Sequence, residues 1–192
     1  MSKGISIAGR KRFSPFDFYE TPVWATKEIL DRIDLSKYKT ILEPCAGHGA
    51  ISNLISNCIA SDIREDDLVV GGKGKDIFTY PDNFCDVVIT NPPYNIAQEV
   101  VEHSLKVAKN KVIMLLKLSF LESVSRYEFF KNTPLKTVYV FCKRVNMYPH
   151  GVEQKGSGAI AYAWYEWDLE YEGKPTIEWI NENTKGLFNN II

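Results

Sequence analysis

The segment Cys85 to Thr90, "CDVVIT", is a strongly apolar run that Pro92 and Pro93 end abruptly. A strand that is apolar at nearly every position is typical of the centre of a parallel sheet, where both faces are covered. Proline cannot donate to a sheet ladder and disfavours helical backbone in the residue before it. The pair therefore predicts a buried strand that stops at a rigid turn, and this turn carries an amide and an aromatic ring.

Strand-like and helix-like segments alternate along the rest of the chain. Strands are predicted at "KTILEP", "CIASDI", "KVIMLL" and "KTVYVFC", and helices at "TPVWATKEIL", "GAISNLISN", "NIAQEVVEHSLKVAKN" and "ESVSRYEFFKN". The run "AIAYAWYEWDLEY" is predicted to be the last strand and antiparallel to the others. This alternation predicts an α/β fold, a three-layer sandwich with a mostly parallel central sheet and helices on both faces.

The length of 192 residues fits a single domain with a sizeable core. Residues 1–17 have no long apolar core after their basic residues, so we expect a flexible or peripheral segment and no signal peptide. No segment approaches the ~20 apolar residues of a membrane helix. The four cysteines form no C-x-x-C pair, which favours free thiols in a reducing compartment and no zinc site. We expect a cytoplasmic protein.

A glycine turn follows the first predicted buried strand, in "LEPCAGHGAI". The strand ends at Glu43, and Gly47 and Gly49 would allow the backbone to approach a ligand closely. Such a pair of glycines is weak evidence alone, and Ser52 replaces the third glycine of a dinucleotide-binding motif. His48, between the two glycines, is expected to point to solvent. Because Glu43 would repel a phosphate, the loop suits a ligand with a cationic group better than ATP or a nicotinamide cofactor.

Two further acids follow at the ends of predicted elements. Asp62 lies 19 positions after Glu43, at the end of the second strand, where a carboxylate can accept hydrogen bonds from ribose hydroxyls. Asp76 precedes Ile77, a pair that suits the amine and the face of an adenine ring. Asp62 could instead be a helix cap, and Asp76 an ordinary loop residue. A ligand with adenine, ribose, a positive charge and no phosphate is S-adenosylmethionine, and we expect no metal.

The segment Asn91 to Tyr94 resembles the D/N-P-P-Y/F motif of class I S-adenosylmethionine-dependent amino-methyltransferases, in the order of the N6-adenine DNA methyltransferases. The segments "FYETP", "EPCAGHGAI", "SDI" and "KDIF" resemble their cofactor motifs. Leu115 to Glu122 and Ala161 to Trp167 are similar to segments of small phage- and prophage-encoded members. The resemblance covers Phe18 to Asp168 and implies these cofactor-binding residues: Tyr19, Thr21, Glu43, Pro44, Ala46, Gly47, Gly49, Asp62, Ile63, Asp76 and Ile77.

The resemblance also implies a catalytic role for the turn itself. An exocyclic amine is a poor nucleophile because its lone pair is delocalised into the ring. By resemblance, the Asn91 side-chain oxygen and the Pro92 carbonyl accept the two amine hydrogens, while Pro93 helps to keep the turn rigid. Tyr94 stacks on the target base once it has left the helix. Without the cofactor motifs, the same residues would read as a strand-ending turn with a buried tyrosine.

The chain has no room for the separate target-recognition domain that larger members of this family carry, so residues 1–192 are expected to form one methyltransferase domain. Between Val101 and Lys155, ten Lys/Arg stand against four Asp/Glu, which favours a basic nucleic-acid-binding face or, equally, an ordinary solvated surface. The residues predicted to contact nucleic acid are Lys117, Arg126, Lys143 and Arg144. The segment Asn146 to Gly158 is expected to be mobile and to close over the substrate, unless it is a connection without a role.

The expected substrate is adenine N6 in DNA, and a separate subunit could supply sequence specificity. The same motif would equally serve an RNA base or the amide nitrogen of a protein glutamine, which is also planar and deactivated. A non-catalytic nucleic-acid-binding module is the alternative outside the enzymes.

Overall fold

The structure is a computed structural model that describes residues 18–149, 151–152 and 158–181. The prediction for residues 1–17 lies outside the described residues. Within the described part of the chain, no helix is long and apolar enough to cross a membrane. The same residues contain no cluster of His, Cys, Asp and Glu side chains that could hold a metal ion.

The described residues form three helices and nine strands. The helices are α1 (Val23–Leu30), α2 (Ala97–Val107) and α3 (Val124–Lys131). The strands are β1 (Tyr19–Glu20), β2 (Ile41–Glu43), β3 (Cys58–Ala60), β4 (Cys85–Thr90), β5 (Ala108–Lys117), β6 (Leu135–Phe141), β7 (Tyr148–Pro149), β8 (Tyr162–Asp168) and β9 (Thr176–Ile180).

Seven of these strands form one sheet in the order β3-β2-β4-β5-β8-β6-β9. Strand β8 runs antiparallel to both of its neighbours, and the other pairs are parallel. The antiparallel strand is therefore confirmed, but it is not the last one, because β9 follows it and pairs parallel with β6. Four of the five residues of β9 are exposed, so its sequence lacks the apolar run that identified the others.

One predicted helix does not form. The segment "GAISNLISN" contains only a single 3₁₀ turn, Ser52–Leu54. The backbone N–H of Ser52 donates to a side-chain oxygen of Glu43 at 2.7 Å, and β3 begins only a few residues later. Ser and Asn side chains compete for backbone hydrogen bonds and disfavour helix interiors. The polar residues that follow Ile51 therefore favour a turn over a helix.

Apolar side chains cover both faces of the sheet, as alternation along the strands requires. On one face Val88 and Val112 pack with Val100 and Val101 of α2. On the other face, α1 packs against the sheet, and the Trp164 indole donates to the carbonyl oxygen of Ala25 at 2.9 Å. Helices on both faces complete the predicted three layers and leave the carboxyl ends of the parallel strands open to form a site.

Candidate active site

A cleft of about 590 Å³, part of which opens to solvent, lies at the carboxyl ends of β2, β3 and β4. Its walls come from the residues that follow these strands and from the segment Phe18 to Thr21, which precedes α1. The position, at the carboxyl ends of parallel strands, is where such sheets bind ligands.

The cleft brings together most residues that the sequence predicts for cofactor and catalysis. The predicted cofactor residues in its lining are Tyr19, Thr21, Glu43, Ala46, Asp62 and Ile63. The predicted catalytic residues in its lining are Asn91, Pro92, Pro93 and Tyr94. The other predicted cofactor residues are not part of this lining: Pro44, Gly47, Gly49, Asp76 and Ile77.

The glycine loop is tied to the cleft through Asp62. One Asp62 carboxylate oxygen accepts the backbone N–H of Gly47 at 2.8 Å, and the other accepts that of Arg64 at 2.9 Å. Gly47 has a φ of +51°, a backbone conformation that residues with a side chain rarely adopt. A Cβ there would also lie 2.5 Å from the Phe18 ring. The glycine therefore lets the loop close against both the carboxylate and the ring.

Asp76 lies near Cys45 of the cleft lining and is the N-cap of a 3₁₀ turn, Ile77–Thr79. The Asp76 carboxylate accepts the backbone N–H of Phe78 at 3.0 Å, which caps this turn. Ile77 is buried in the apolar cluster under α2. The sequence analysis did not predict this cap or this burial.

Glu43 is almost completely buried and accepts the Ser52 backbone N–H. Burial raises the pKa of the Glu43 carboxyl group to about 8. The group is therefore mostly neutral at pH 7 in the absence of ligand. An attraction between Glu43 and a cationic ligand group, as the sequence predicts, requires that the carboxyl group lose its proton when the ligand binds.

The Asn91 side chain is held in one orientation. Its amide nitrogen donates to the Tyr19 carbonyl oxygen at 2.9 Å and to the Thr21 hydroxyl at 3.1 Å. Because a carbonyl oxygen can only accept, the NH₂ group must face Tyr19. The amide oxygen of Asn91 is buried and has no hydrogen-bond partner among the described residues. Such an unsatisfied buried acceptor is uncommon and lacks the hydrogen bond that a donor reaching it would supply.

The Tyr94 ring is surrounded by aromatic and cationic groups. The ring centroids of Tyr19 and Tyr162 lie 6.1 and 5.6 Å from that of Tyr94. The ammonium nitrogen of Lys117 lies over the ring, 4.9 Å from its centroid. The sequence analysis did not predict a site role for Tyr162, because nothing near it in the chain indicates that β8 begins beside the Pro-Pro turn.

Other cleft residues, among them Arg64 and His48, were also missed. The Arg64 guanidinium stacks on Phe18 at 3.8 Å, and the only sequence signal for it is its position two residues after Asp62. His48 was expected to point to solvent. It instead pairs with Glu20 at 3.0 Å, and its side chain is only 21% exposed. The reason is that the segment that precedes α1 folds over the glycine loop, a long-range contact that the sequence does not reveal.

The four cations predicted to contact nucleic acid lie in two further clefts. Lys117 and Arg126 line a cleft of about 270 Å³ that shares Tyr94 with the main cleft. Lys143 and Arg144 line another, of about 510 Å³, next to Tyr162. Since the rings of Tyr94 and Tyr162 are neighbours, both pairs of cations are connected to the main cleft through these rings.

Arg126 also has a structural role. One guanidinium nitrogen donates to the carbonyl oxygens of Ser119, Phe120 and Glu122, at distances of 3.3, 3.1 and 2.8 Å. The guanidinium also lies 4.6 Å from the centroid of the Phe120 ring. Arg126 therefore holds the turn before α3 in place, which competes with a role in binding phosphate.

The start of the segment Asn146 to Gly158 is attached to the cofactor side of the cleft. Strand β7 pairs antiparallel with β1, and Met147 is buried. A Cβ at Gly151 would lie 2.8 Å from the Glu20 carboxylate and 2.9 Å from the His48 ring. Residues 150 and 153–157 lie outside the described residues, so closure of this segment over a substrate stays a prediction.

Several solved structures, two of the following three being of methyltransferases, have a similar fold. A type I restriction-modification system methyltransferase subunit from Streptococcus thermophilus matches with a TM-score of 0.55 and 10% identity, over 83% of this chain and 44% of that chain. A proposed RNA methyltransferase from Pyrococcus horikoshii matches with a TM-score of 0.60 and 14% identity, over 85% of this chain and 93% of that chain. A proposed hemolysin from Lactococcus lactis matches with a TM-score of 0.57 and 9% identity, over 82% of this chain and 91% of that chain.

These similarities establish the fold. This chain spans less than half the length of the Streptococcus thermophilus subunit. The sequence matches no family model and no curated protein. Identities this low leave function open, because proteins that share a fold can differ in function. The comparisons confirm the predicted fold class, a Rossmann-like methyltransferase fold with a mostly parallel sheet and one antiparallel strand.

Proposed function

We propose that this protein is an S-adenosylmethionine-dependent methyltransferase that methylates an exocyclic amine, and that the amine is N6 of adenine in DNA. The observation that carries the proposal is the buried, unpartnered amide oxygen of Asn91 beside Pro92 in the main cleft. An acceptor that is fixed in orientation before any substrate arrives is what activation of a planar amine needs. The methyltransferase fold supports the same reading.

The residues of the main cleft fit the proposed cofactor. The Asp62 carboxylate would receive the ribose hydroxyls, and Asp76 and Ile77 would receive the adenine. Glu43 and the segment Tyr19 to Thr21 would hold the methionine part. When bound, S-adenosylmethionine supplies a methyl group on a positively charged sulfur, which is a strong electrophile.

The protein's task is then to prepare the nucleophile. Hydrogen bonds from the amine to the Asn91 amide oxygen and the Pro92 carbonyl would draw the nitrogen towards tetrahedral geometry and localise its lone pair. Pro92 and Pro93 keep this carbonyl out of the sheet ladder and rigid. Holding the amine and the methyl group in line supplies a further part of the rate enhancement.

Three features favour a nucleobase in DNA. The Tyr94 ring would offer a stacking surface to a base that has left the duplex. Lys117, Lys143 and Arg144 line the adjoining clefts, where they would contact the phosphate backbone. The fold is similar to that of a restriction-modification methyltransferase subunit, which also raises the possibility of a separate specificity subunit.

An RNA base is the second candidate. The match to the proposed RNA methyltransferase covers 93% of that chain and 85% of this one. Asn91, Pro92 and Tyr94 would act on an adenine in RNA in the same way, and only the backbone contacts would differ.

The deciding experiment measures tritium transfer from labelled S-adenosylmethionine to DNA, RNA and protein pools, followed by analysis of the labelled product. We expect N6-methyl-2′-deoxyadenosine from the unaltered protein and no transfer by Asn91→Ala, which should still bind the cofactor. Label in adenosine from RNA would select the second candidate, and label in glutamine would exclude both. Cofactor binding without transfer to any pool would favour a non-catalytic module.

A further inference from the structure

The side chain of Lys117 lies at the point where the main cleft meets its neighbour. Lys117 is the last residue of β5, and its ammonium lies over the Tyr94 ring. Among the described residues, no carboxylate oxygen lies within 4.0 Å of this nitrogen. The ammonium therefore lies over the ring without a carboxylate partner in the described part of the chain, although carboxylates are the usual partners of a partly buried lysine.

The ring of Tyr94 separates two clefts. Tyr94 lines both the main cleft and the cleft of about 270 Å³, whereas Lys117 lines only the smaller one. The ammonium therefore covers the ring from the side of the smaller cleft. Under the proposed function the cofactor fills the main cleft, so the base that brings its amine to Asn91 would enter through the smaller cleft. The Tyr94 ring face on that side cannot receive a base while it carries the ammonium.

We propose that Lys117 covers the face of Tyr94 on which the target base stacks, and that the arriving base displaces the ammonium onto the phosphate backbone of the flipped nucleotide. This inference rests on the proposed function and adds a competing residue to its site. The exchange is favourable on both sides. The ring loses a weak cation–π contact and gains a stacked base, while the ammonium gains a charge-assisted contact with phosphate.

The backbone of Lys117 is fixed, so only its side chain needs to move. Lys117 pairs with Tyr162 of β8, and its carbonyl oxygen accepts the Tyr165 hydroxyl at 3.1 Å. The four-carbon stem of lysine can turn its head group without any change in the sheet. A glutamine side chain has no ring to stack on Tyr94 and would leave the ammonium in place, so the exchange also distinguishes a nucleobase from a protein substrate.

Nuclear magnetic resonance can detect the exchange directly. In protein labelled with ¹³C at the lysine Cε, the attached protons of Lys117 should be shifted upfield by the Tyr94 ring current. Lys117→Arg identifies the signal, and Tyr94→Leu should remove the upfield shift. Addition of a DNA duplex that the protein methylates should move the signal to the position of exposed lysines. A signal that stays upfield while DNA is bound, as measured by fluorescence anisotropy, would overturn the exchange.

A second measurement tests the phosphate contact. Binding of DNA becomes weaker with salt in proportion to the number of phosphates neutralised, with a slope of about −0.9 for each contact. Lys117→Met should reduce the steepness of this slope by about one contact. Lys109→Met is a matched control, since Lys109 lies near the other end of β5 beside Asp86 and should leave the slope unchanged.

Methyl transfer measured on the same unaltered sample separates the two hypotheses. Transfer to DNA together with an unmoved Lys117 signal, or with an unchanged slope in Lys117→Met, overturns the exchange and leaves the proposed function standing. If no nucleic acid is methylated or bound, the proposed function fails and the exchange fails with it.

Discussion

The Asn91 side chain donates to the carbonyl oxygen of Tyr19, which lies 72 positions earlier in the chain, at 2.9 Å. This bond joins the turn after β4 to the segment that precedes α1. It also decides which atom of the amide is left for a substrate. Under the proposed function, this single side chain couples the cofactor side of the cleft to the substrate side.

The hydroxyl of Thr21 is the second acceptor for the Asn91 amide, and Thr21 is only 3% exposed. We expect Thr21→Val to lower kcat about tenfold, because Asn91 loses one of the two contacts that orient it, whereas Thr21→Ser should retain activity. Steady-state kinetics and calorimetry with S-adenosylmethionine separate the effects. A loss of cofactor affinity with unchanged kcat would show that Thr21 acts on the cofactor, as the sequence alone predicts, and does not position Asn91.

Asp62 is the carboxylate that we expect to bind the ribose. Asp62→Ala should weaken the binding of S-adenosylmethionine at least tenfold in calorimetry, since it removes both the acceptors and the anchor of Gly47. Asp66→Ala is a suitable control, because Asp66 is more exposed and contacts the same arginine, Arg64. Equal affinities for S-adenosylmethionine in the two variants would show that Asp62 does not bind the cofactor.

Glu43 makes stability depend on pH. Its pKa is about 8 in the folded protein, and its ordinary value is 4.5. Between these values the unfolded chain has released the proton that the folded protein retains, so stability falls as pH rises through this window, by up to about 1.4 kcal/mol per pH unit. Glu43→Gln can still accept the Ser52 N–H and does not ionise. We therefore expect the variant to gain stability over the unaltered protein between pH 5 and pH 8, as measured by urea denaturation; a constant difference would contradict this.

A buried charge network supports the sheet near the start of β5. Lys111 is 6% exposed and contacts Glu166 and Asp168, and Glu166 also accepts the Tyr139 hydroxyl at 2.9 Å. Lys111→Met leaves the negative charges of these two carboxylates with much less positive charge beside them. We expect it to lower the free energy of unfolding by about 3–5 kcal/mol. Lys136→Met removes a more exposed member of the same network and should cost about 1 kcal/mol or less. Similar losses in both variants would contradict a special role for the buried lysine.

The elements that the sequence predicts well are those with strong apolar patterns. Strand β4 and helix α2 follow from a continuous apolar run and from a helical repeat, respectively. Strand β9 is mostly exposed and has no such pattern. The helix expected after the glycine turn is missing because a buried contact between Glu43 and Ser52 sets the backbone there. Local sequence patterns therefore predict the buried elements, and they fail where a tertiary contact determines the backbone conformation.

The same distinction holds in the candidate site. The turn from Asn91 to Tyr94 and the carboxylate of Asp62 could be found because each follows a recognisable strand. The partners of Asn91 could not be found in this way, since Tyr19 and Thr21 lie some 70 positions away. The spacing of a motif identifies the residues that carry the chemistry, and long-range packing selects those that orient them.

The pair Lys143 and Arg144 tests the role of the third cleft. Both residues line it together with Tyr162, and no separate recognition domain is available in the described part of the chain to supply backbone contacts. If they contact phosphate, the double variant Lys143→Met/Arg144→Met should reduce the salt dependence of DNA binding by about two contacts and weaken binding to all sequences alike. Lys174→Met is the control and should change neither property, because acidic residues outnumber basic ones around Lys174 in the sequence. A double variant with an unchanged slope would show that DNA does not reach this cleft, and the contacts would then have to come from the side of Lys117.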